Sequence, residues 1–99
     1  MRVIAKSTLR AFWSEPGHED AEQPLLAWHK ETEAANWASP ADIKRQFGSA
    51  SVLQAGRVVF NIGGNKYRLV VAVRYDLKIV FIRFIGTHSD YDDIDAQEV

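Results

Sequence analysis

Between Arg57 and Tyr91 the chain reads RVVFNIGGNKYRLVVAVRYDLKIVFIRFIGTHSDY. Val, Ile, Phe and Tyr dominate it, and turn residues interrupt it at Gly63-Gly64 and Asp76-Leu77. β-Branched and aromatic residues in period two, punctuated this way, specify strands joined by tight hairpins. A helix cannot use the pattern, because its apolar stripe recurs every three to four residues. The stretch predicts three strands, and the rest of the chain must pack against them.

The turns also predict which side chains share a face. With Gly63-Gly64 at the centre of the first turn, Asn61 faces Lys66, Val59 faces Arg68 and Arg57 faces Val70. With Asp76-Leu77 at the centre of the second, Val70 faces Arg83 and Arg68 faces Ile85. Opposed residues point to the same side of a sheet. One face then collects Val58, Phe60, Ile62, Tyr67, Leu69, Val71, Val73, Tyr75, Val80, Ile82 and Phe84. The other collects Arg57, Asn61, Lys66, Arg68, Arg74 and Arg83 among Val59, Val70, Ala72, Phe81 and Ile85. A one-residue slip in the second turn would put Arg83 into the core, where an unpaired charge costs several kcal/mol.

The segment before the sheet reads as helical support. Arg2-Val3-Ile4-Ala5 is a short strand candidate. Ser7 offers an N-cap for a helix from Thr8 to Glu15, which Pro16-Gly17 ends. A second helix is expected over residues 21–35, with Leu25, Trp28, Thr32 and Ala35 as its apolar stripe. Ser39-Pro40-Ala41-Asp42 opens a third, short helix that runs through Phe47 and ends at Gly48. The three tryptophans read as core residues, and His18 and His29 as surface residues. No linker or repeat divides the chain, so residues 1–99 are expected to form one domain.

Charge is distributed unevenly. Residues 41–88 hold eight Lys or Arg against two Asp, while residues 89–99 hold five acids and no base. A basic centre between acidic ends suits a polyanion partner better than the net charge of −1 implies. With no cysteine, disulfides and thiolate metal sites are excluded, and three scattered histidines make a poor metal site. No metal or cofactor is expected. No apolar run reaches the roughly 20 residues of a membrane span, and a cytoplasmic location is the simplest reading. The acidic tail Asp90 to Glu98 could fold back on the basic face, but a solvated terminus is the expectation.

Arginine forks match phosphate oxygens, so Arg57, Arg68 and Arg83 on adjacent strands could surround one phosphate. Lys66, Asn61 and His88 come to the rim near the first turn, and a turn or short helix could bring Tyr91 back to it. RNA cleavage by its own 2′-hydroxyl needs a base, cations at the phosphorus and an acid for the 5′-oxygen. Histidine suits proton transfer near neutral pH, arginines supply the electrostatic stabilisation, and an aromatic ring can stack on a splayed base. The residues alone do not separate phosphate binding from cleavage. Three strand arginines can also simply solvate an exposed face, and no acid on that face stands as the base.

Asn61-Ile62-Gly63-Gly64-Asn65-Lys66-Tyr67-Arg68-Leu69-Val70, followed by Phe84-Ile85-Gly86-Thr87-His88-Ser89-Asp90-Tyr91-Asp92, resembles the HigB toxins of type II toxin–antitoxin systems. Arg2 to Ala5, the Trp28 helix and Ser39 to Lys44 are similar to that family as well. The resemblance implies an α+β, RelE-like fold: two to three N-terminal helices on one face of a mainly antiparallel twisted sheet. It implies a ribosome-dependent mRNA endonuclease that inhibits translation without a metal. The partners implied are mRNA on the ribosome and a HigA-type helix-turn-helix antitoxin, through which alone operator DNA would be met. By the same resemblance Arg68 and Arg83 match strand arginines of RelE-like toxins, and His88 is similar to the C-terminal catalytic histidine of the YafQ branch. His88, Arg68 and Arg83 are thus the expected catalytic residues, and Arg57, Asn61, Lys66 and Tyr91 the expected RNA-binding ones. The alternative is a binding module without chemistry, a translation inhibitor or co-repressor subunit.

Overall fold

A computed structural model describes residues 1–99. The elements run β1 (Arg2–Ile4), α1 (Lys6–Trp13), a 3-10 turn (Glu19–Ala21), α2 (Glu22–Ala34), α3 (Pro40–Gln46), β2 (Ser51–Val52), β3 (Arg57–Ile62), β4 (Tyr67–Arg74), β5 (Ile79–Thr87) and α4 (His88–Asp92). The five strands form one sheet in the order β1-β5-β4-β3-β2. Only the β1–β5 pair is parallel; the other three pairs are antiparallel. The expected α+β architecture, helices on one face of a mainly antiparallel sheet, is the one observed.

The helices pack on the apolar face because their own stripes match it. In α2, Leu25, Trp28, His29 and Thr32 are buried, at the spacing of one helical face. Pro24 is the third residue of α2, inside the first turn, where a backbone N–H has no helical acceptor to lose. The α-amino group of Met1 donates to the carbonyls of Thr32, Glu33 and Ala35, which ties β1 to the end of α2. Phe60 lies at the middle of the core, with ring centroids of Phe47, Trp28 and Trp37 at 5.2, 5.4 and 6.3 Å.

Several local expectations need correction. Helix α1 begins at Lys6 and no side chain caps it, so Ser7 is not its cap. Helix α3 stops at Gln46, before Gly48. Ser39 stands at its N-cap position without a hydroxyl hydrogen bond; instead Asp42 Oδ2 accepts the Ala38 N–H at 2.8 Å. His29 is buried rather than exposed, with Nδ1 at 3.3 Å from Glu33 Oε1. His18 is half-buried, stacked on Phe12 at 4.2 Å. His18 is drawn inward by the aromatic rings of Phe12 and Tyr67, contributed by α1 and β4.

The hairpin registers decide the faces. Ile62 pairs with Tyr67, so the first hairpin closes through four residues, Gly63 to Lys66, not two. Gly63 and Gly64 have φ of +62° and +70°, the left-handed region that glycine enters without a Cβ penalty. Lengthening the loop moves every pairing by two positions. Asn61 therefore faces Arg68, Val59 faces Val70 and Arg57 faces Ala72. A two-residue displacement leaves each side chain on its expected side, whereas one residue would exchange the faces.

The second hairpin starts in the expected register, with Arg74 opposite Ile79 and Ala72 opposite Phe81. A β-bulge between Val70 and Val71 then breaks it: Val71 pairs with Ile82, but Val70 pairs with Phe84, leaving Arg83 as the extra residue. Beyond the bulge Phe84 and Ile85 exchange the faces expected for them. Ile85 packs against the main core, and Phe84 against a second, smaller cluster on the opposite face. Arg68 accordingly faces Gly86, not Ile85.

That second cluster overturns the expectation of a solvated C-terminus. Tyr91, Ile94, Ala96 and Val99 fold back onto Val59, Val70 and Phe84, with Leu53 beside them. The tail thus covers the β3–β4 half of the basic face.

Candidate functional site

Three strands place a polar row at the rim of the basic face. Asn61 on β3, Arg68 on β4 and Gly86 on β5 are direct neighbours across the sheet. Arg68 Nη1 donates to the carbonyls of Asn65 and Tyr67 at 3.2 and 3.3 Å, which folds its guanidinium toward the first turn. Gly86 is required by packing. A Cβ there would stand 2.6 Å from Phe84 Cζ and 3.1 Å from Asp90 Cβ.

His88 joins this rim through its backbone. Its N–H donates to the Lys66 carbonyl at 3.2 Å, so the end of β5 is fastened to the first turn. His88 is the first residue of α4, and a reciprocal capping box sets that helix. Thr87 Oγ1 accepts the Asp90 N–H at 3.1 Å, and Asp90 Oδ2 accepts the Thr87 N–H at 3.2 Å. One turn on, Asp92 Oδ2 lies 3.5 Å from His88 Nδ1. The imidazole is exposed. Asp92 is the neighbour that the pattern of strands alone did not bring forward, although its position four residues after His88 is the ordinary signal for a helical pair.

Lys66 sits in the turn itself. Its ammonium contacts Asp20 Oδ2, and Tyr67 Oη donates to the other oxygen of the same carboxylate. Donation from Lys66, then from Tyr67, holds the Asp20 carboxyl below its ordinary pKa. Asp20 comes from the 3-10 turn, 46 residues away in sequence from Lys66, so no local pattern announces the contact.

Arg83 and Arg57 are less close to this rim than the expected register implied. Arg83 is exposed at the bulge, with its guanidinium carbon 5.6 Å from the Phe81 ring centroid. Arg57 lies in the Ala72 row, four residues along β3 from Asn61, or about 13 Å of strand. Its Nε donates to the Val99 carbonyl at 3.1 Å, and its Nη1 to the Ala55 carbonyl at 3.3 Å. The three arginines share a face but do not converge on one point. Tyr91 is half-buried in the cluster under the tail.

What the rim offers chemically is an exposed imidazole with a carboxylate beside it, a nearby guanidinium, an ammonium and an amide. No three His, Asp or Glu side chains converge into a set that could hold a metal ion. The surface has no enclosed pocket, so any ligand meets an open face. No helix is long and apolar enough to cross a membrane.

A search of curated proteins finds no match to this chain. The family model described as HigB_toxin, RelE-like toxic component of a toxin-antitoxin system, matches residues 21–94. The match takes in α2, α3, strands β2 to β5, and the His88 helix, about three quarters of the chain. With four of the five strands, helices α2 and α3 and the His88 rim inside that span, the chain belongs to the HigB family of RelE-like toxins of toxin–antitoxin systems.

Proposed function

We propose that this toxin is an endoribonuclease that cuts mRNA on the ribosome, by attack of the RNA's own 2′-hydroxyl on the adjacent phosphorus. The observation that carries the reading is the rim itself. The exposed His88 imidazole is fastened by its backbone to the Lys66 turn and flanked by Asp92, two residues beyond the Gly86 that shares a sheet row with Arg68 and Asn61.

In this reading His88 donates a proton to the departing 5′-oxygen. Asp92 orients the imidazole through Nδ1, leaving Nε2 to face the substrate. Arg68 balances charge that builds on the phosphoryl oxygens, while Arg83, which the bulge sets over Phe81, stands clear of the reacting phosphate. Asn61 and Lys66 hold the flanking backbone. Arg57, bonded to Val99 of the tail, and Tyr91, itself part of the tail, form the wall along which the RNA lies. No strand residue of the basic face carries a carboxylate, so the 2′-hydroxyl proton passes to a group that ribosome or RNA supplies. Membership of the RelE-like toxin family is what supports placing the reaction on the ribosome. The setting is cytoplasmic, and the partner that silences it is an antitoxin of the HigA type, through which operator DNA is contacted.

Induced expression in bacteria tests the assignment. Wild type should arrest growth and fragment transcripts, and His88→Ala should do neither at equal protein level. Equal arrest and equal fragmentation by the two would remove His88 from the chemistry.

A further inference from the structure

The tail divides the basic face of the sheet in two. Its β3–β4 half is covered by Tyr91, Ile94, Ala96 and Val99. Its β5–β1 half is not. There the parallel register puts Arg2 beside Ile79 and Ile4 beside Phe81, all on the side away from the helices. Arg83, displaced outward by the bulge, stands over Phe81. Ile4, Ile79 and Phe81 are each partly exposed and pack into neither hydrophobic cluster. Arg2 and Arg83 are exposed, and no carboxylate lies within ion-pair distance of either.

An apolar floor with two unpaired guanidiniums above it is the composition of a protein-binding patch: apolar at the centre, arginine at the rim. Phe81 alone would suit a nucleic-acid base equally well. Ile4 and Ile79 do not, since bases stack on aromatic rings and guanidinium planes and aliphatic side chains offer neither. Family membership implies an antitoxin partner. We propose that the antitoxin docks here, through a segment that sets apolar side chains on Ile4, Ile79 and Phe81 and carboxylates against Arg2 and Arg83. Phe81 precedes Thr87 by six residues of one strand, about 20 Å, so this surface is separate from the His88 rim. The inference rests on family membership and not on the nuclease reading.

The test uses purified full-length toxin and the antitoxin that co-purifies with it when both are produced together. Calorimetric titration compares wild type with Phe81→Glu, Arg83→Glu and Arg2→Gln, and with the rim variants His88→Ala and Lys66→Ala. Circular dichroism melting confirms that each variant is folded. Phe81→Glu and Arg83→Glu should each weaken binding by 100-fold or more, on the order expected for a central interface residue. Arg2→Gln should weaken it several-fold and reduce its salt dependence. The rim variants should stay within about threefold of wild type. The milder Phe81→Leu and Arg83→Lys should bind better than the glutamate variants, which guards against loss of folding as the cause. Unchanged binding in folded Phe81→Glu and Arg83→Glu overturns the proposal. So does loss of affinity for a single-stranded RNA oligonucleotide in those variants with antitoxin binding intact, which would make the patch an RNA surface.

Discussion

At the scale of single residues, position along the strands separates arginines that composition treats alike. Arg68 stands in the rim row with Asn61 and Gly86, whereas Arg74 closes the opposite end of the sheet and is held by Asp76 at 3.0 Å. Arg68→Ala should therefore reduce RNA cleavage by about 100-fold, the usual scale for removing one electrostatic donor, and Arg74→Ala by less than threefold. Cleavage of a translated message by the two purified variants checks this, and the reverse order would contradict the placement of the rim. Buried His29 makes a second prediction. Desolvation holds its pKa below the ordinary 6.5, opposed by Glu33 and assisted by Lys6. The folded state thus resists a proton that the unfolded chain accepts. Stability should be at its plateau above pH 6.5 and should fall as pH drops below it. Replacing His29 with a residue that does not titrate, as in His29→Gln, should flatten the denaturation midpoint between about pH 7 and pH 5. An unchanged slope would mean that another group carries the acid limb.

At the scale of elements, the β-bulge and the capping box set the site. The bulge turns Phe84 onto the basic face, and Phe84 lies against the place where any side chain at position 86 would be. Gly86→Ala should consequently destabilise the protein by about 1–3 kcal/mol, the usual range for an overpacked site. It should also loosen α4, because Asp90 Cβ is the other near atom. Chemical denaturation reads the first effect and faster amide exchange in residues 88–92 the second; a fully stable variant would show that Phe84 yields freely.

These elements also show what was legible beforehand. The face assignment of β3 and β4 was readable from alternation, and it survived a two-residue error in the hairpin loop because period two is blind to an even shift. The bulge was not readable, since Arg83-Phe84 alternates as well as any other pair and only the packing of Phe84 against Val59, Val70 and the tail selects it. The tail was misread for a related reason. Its acids, Asp90, Asp92, Asp93, Asp95 and Glu98, mask the wider-spaced Tyr91, Ile94, Ala96 and Val99 that bind the sheet. The place of His88 at the rim was legible from its following the last strand, and Asp92 could have been found from the helical spacing, but the Asp20–Lys66 contact joins segments with no pattern in common.

At the scale of the whole molecule, the two faces of one sheet do different work. The helix-covered face supplies stability, centred on Phe60 and its ring of aromatics; Phe60→Ala should cost about 3–5 kcal/mol in equilibrium unfolding without moving the rim residues. The other face is divided into a rim with His88, a half strapped by the tail and an open half at β1–β5. On the proposed readings, RNA and an antitoxin meet this one small sheet on separate surfaces. The central claim is cleavage at the rim, and primer extension on a message being translated in a purified ribosomal system tests it most directly. Wild-type toxin should generate new 5′ ends within the translated region, absent without ribosomes and absent with His88→Ala. Arrested translation with full-length, intact message would contradict the account and leave a toxin that binds without cutting.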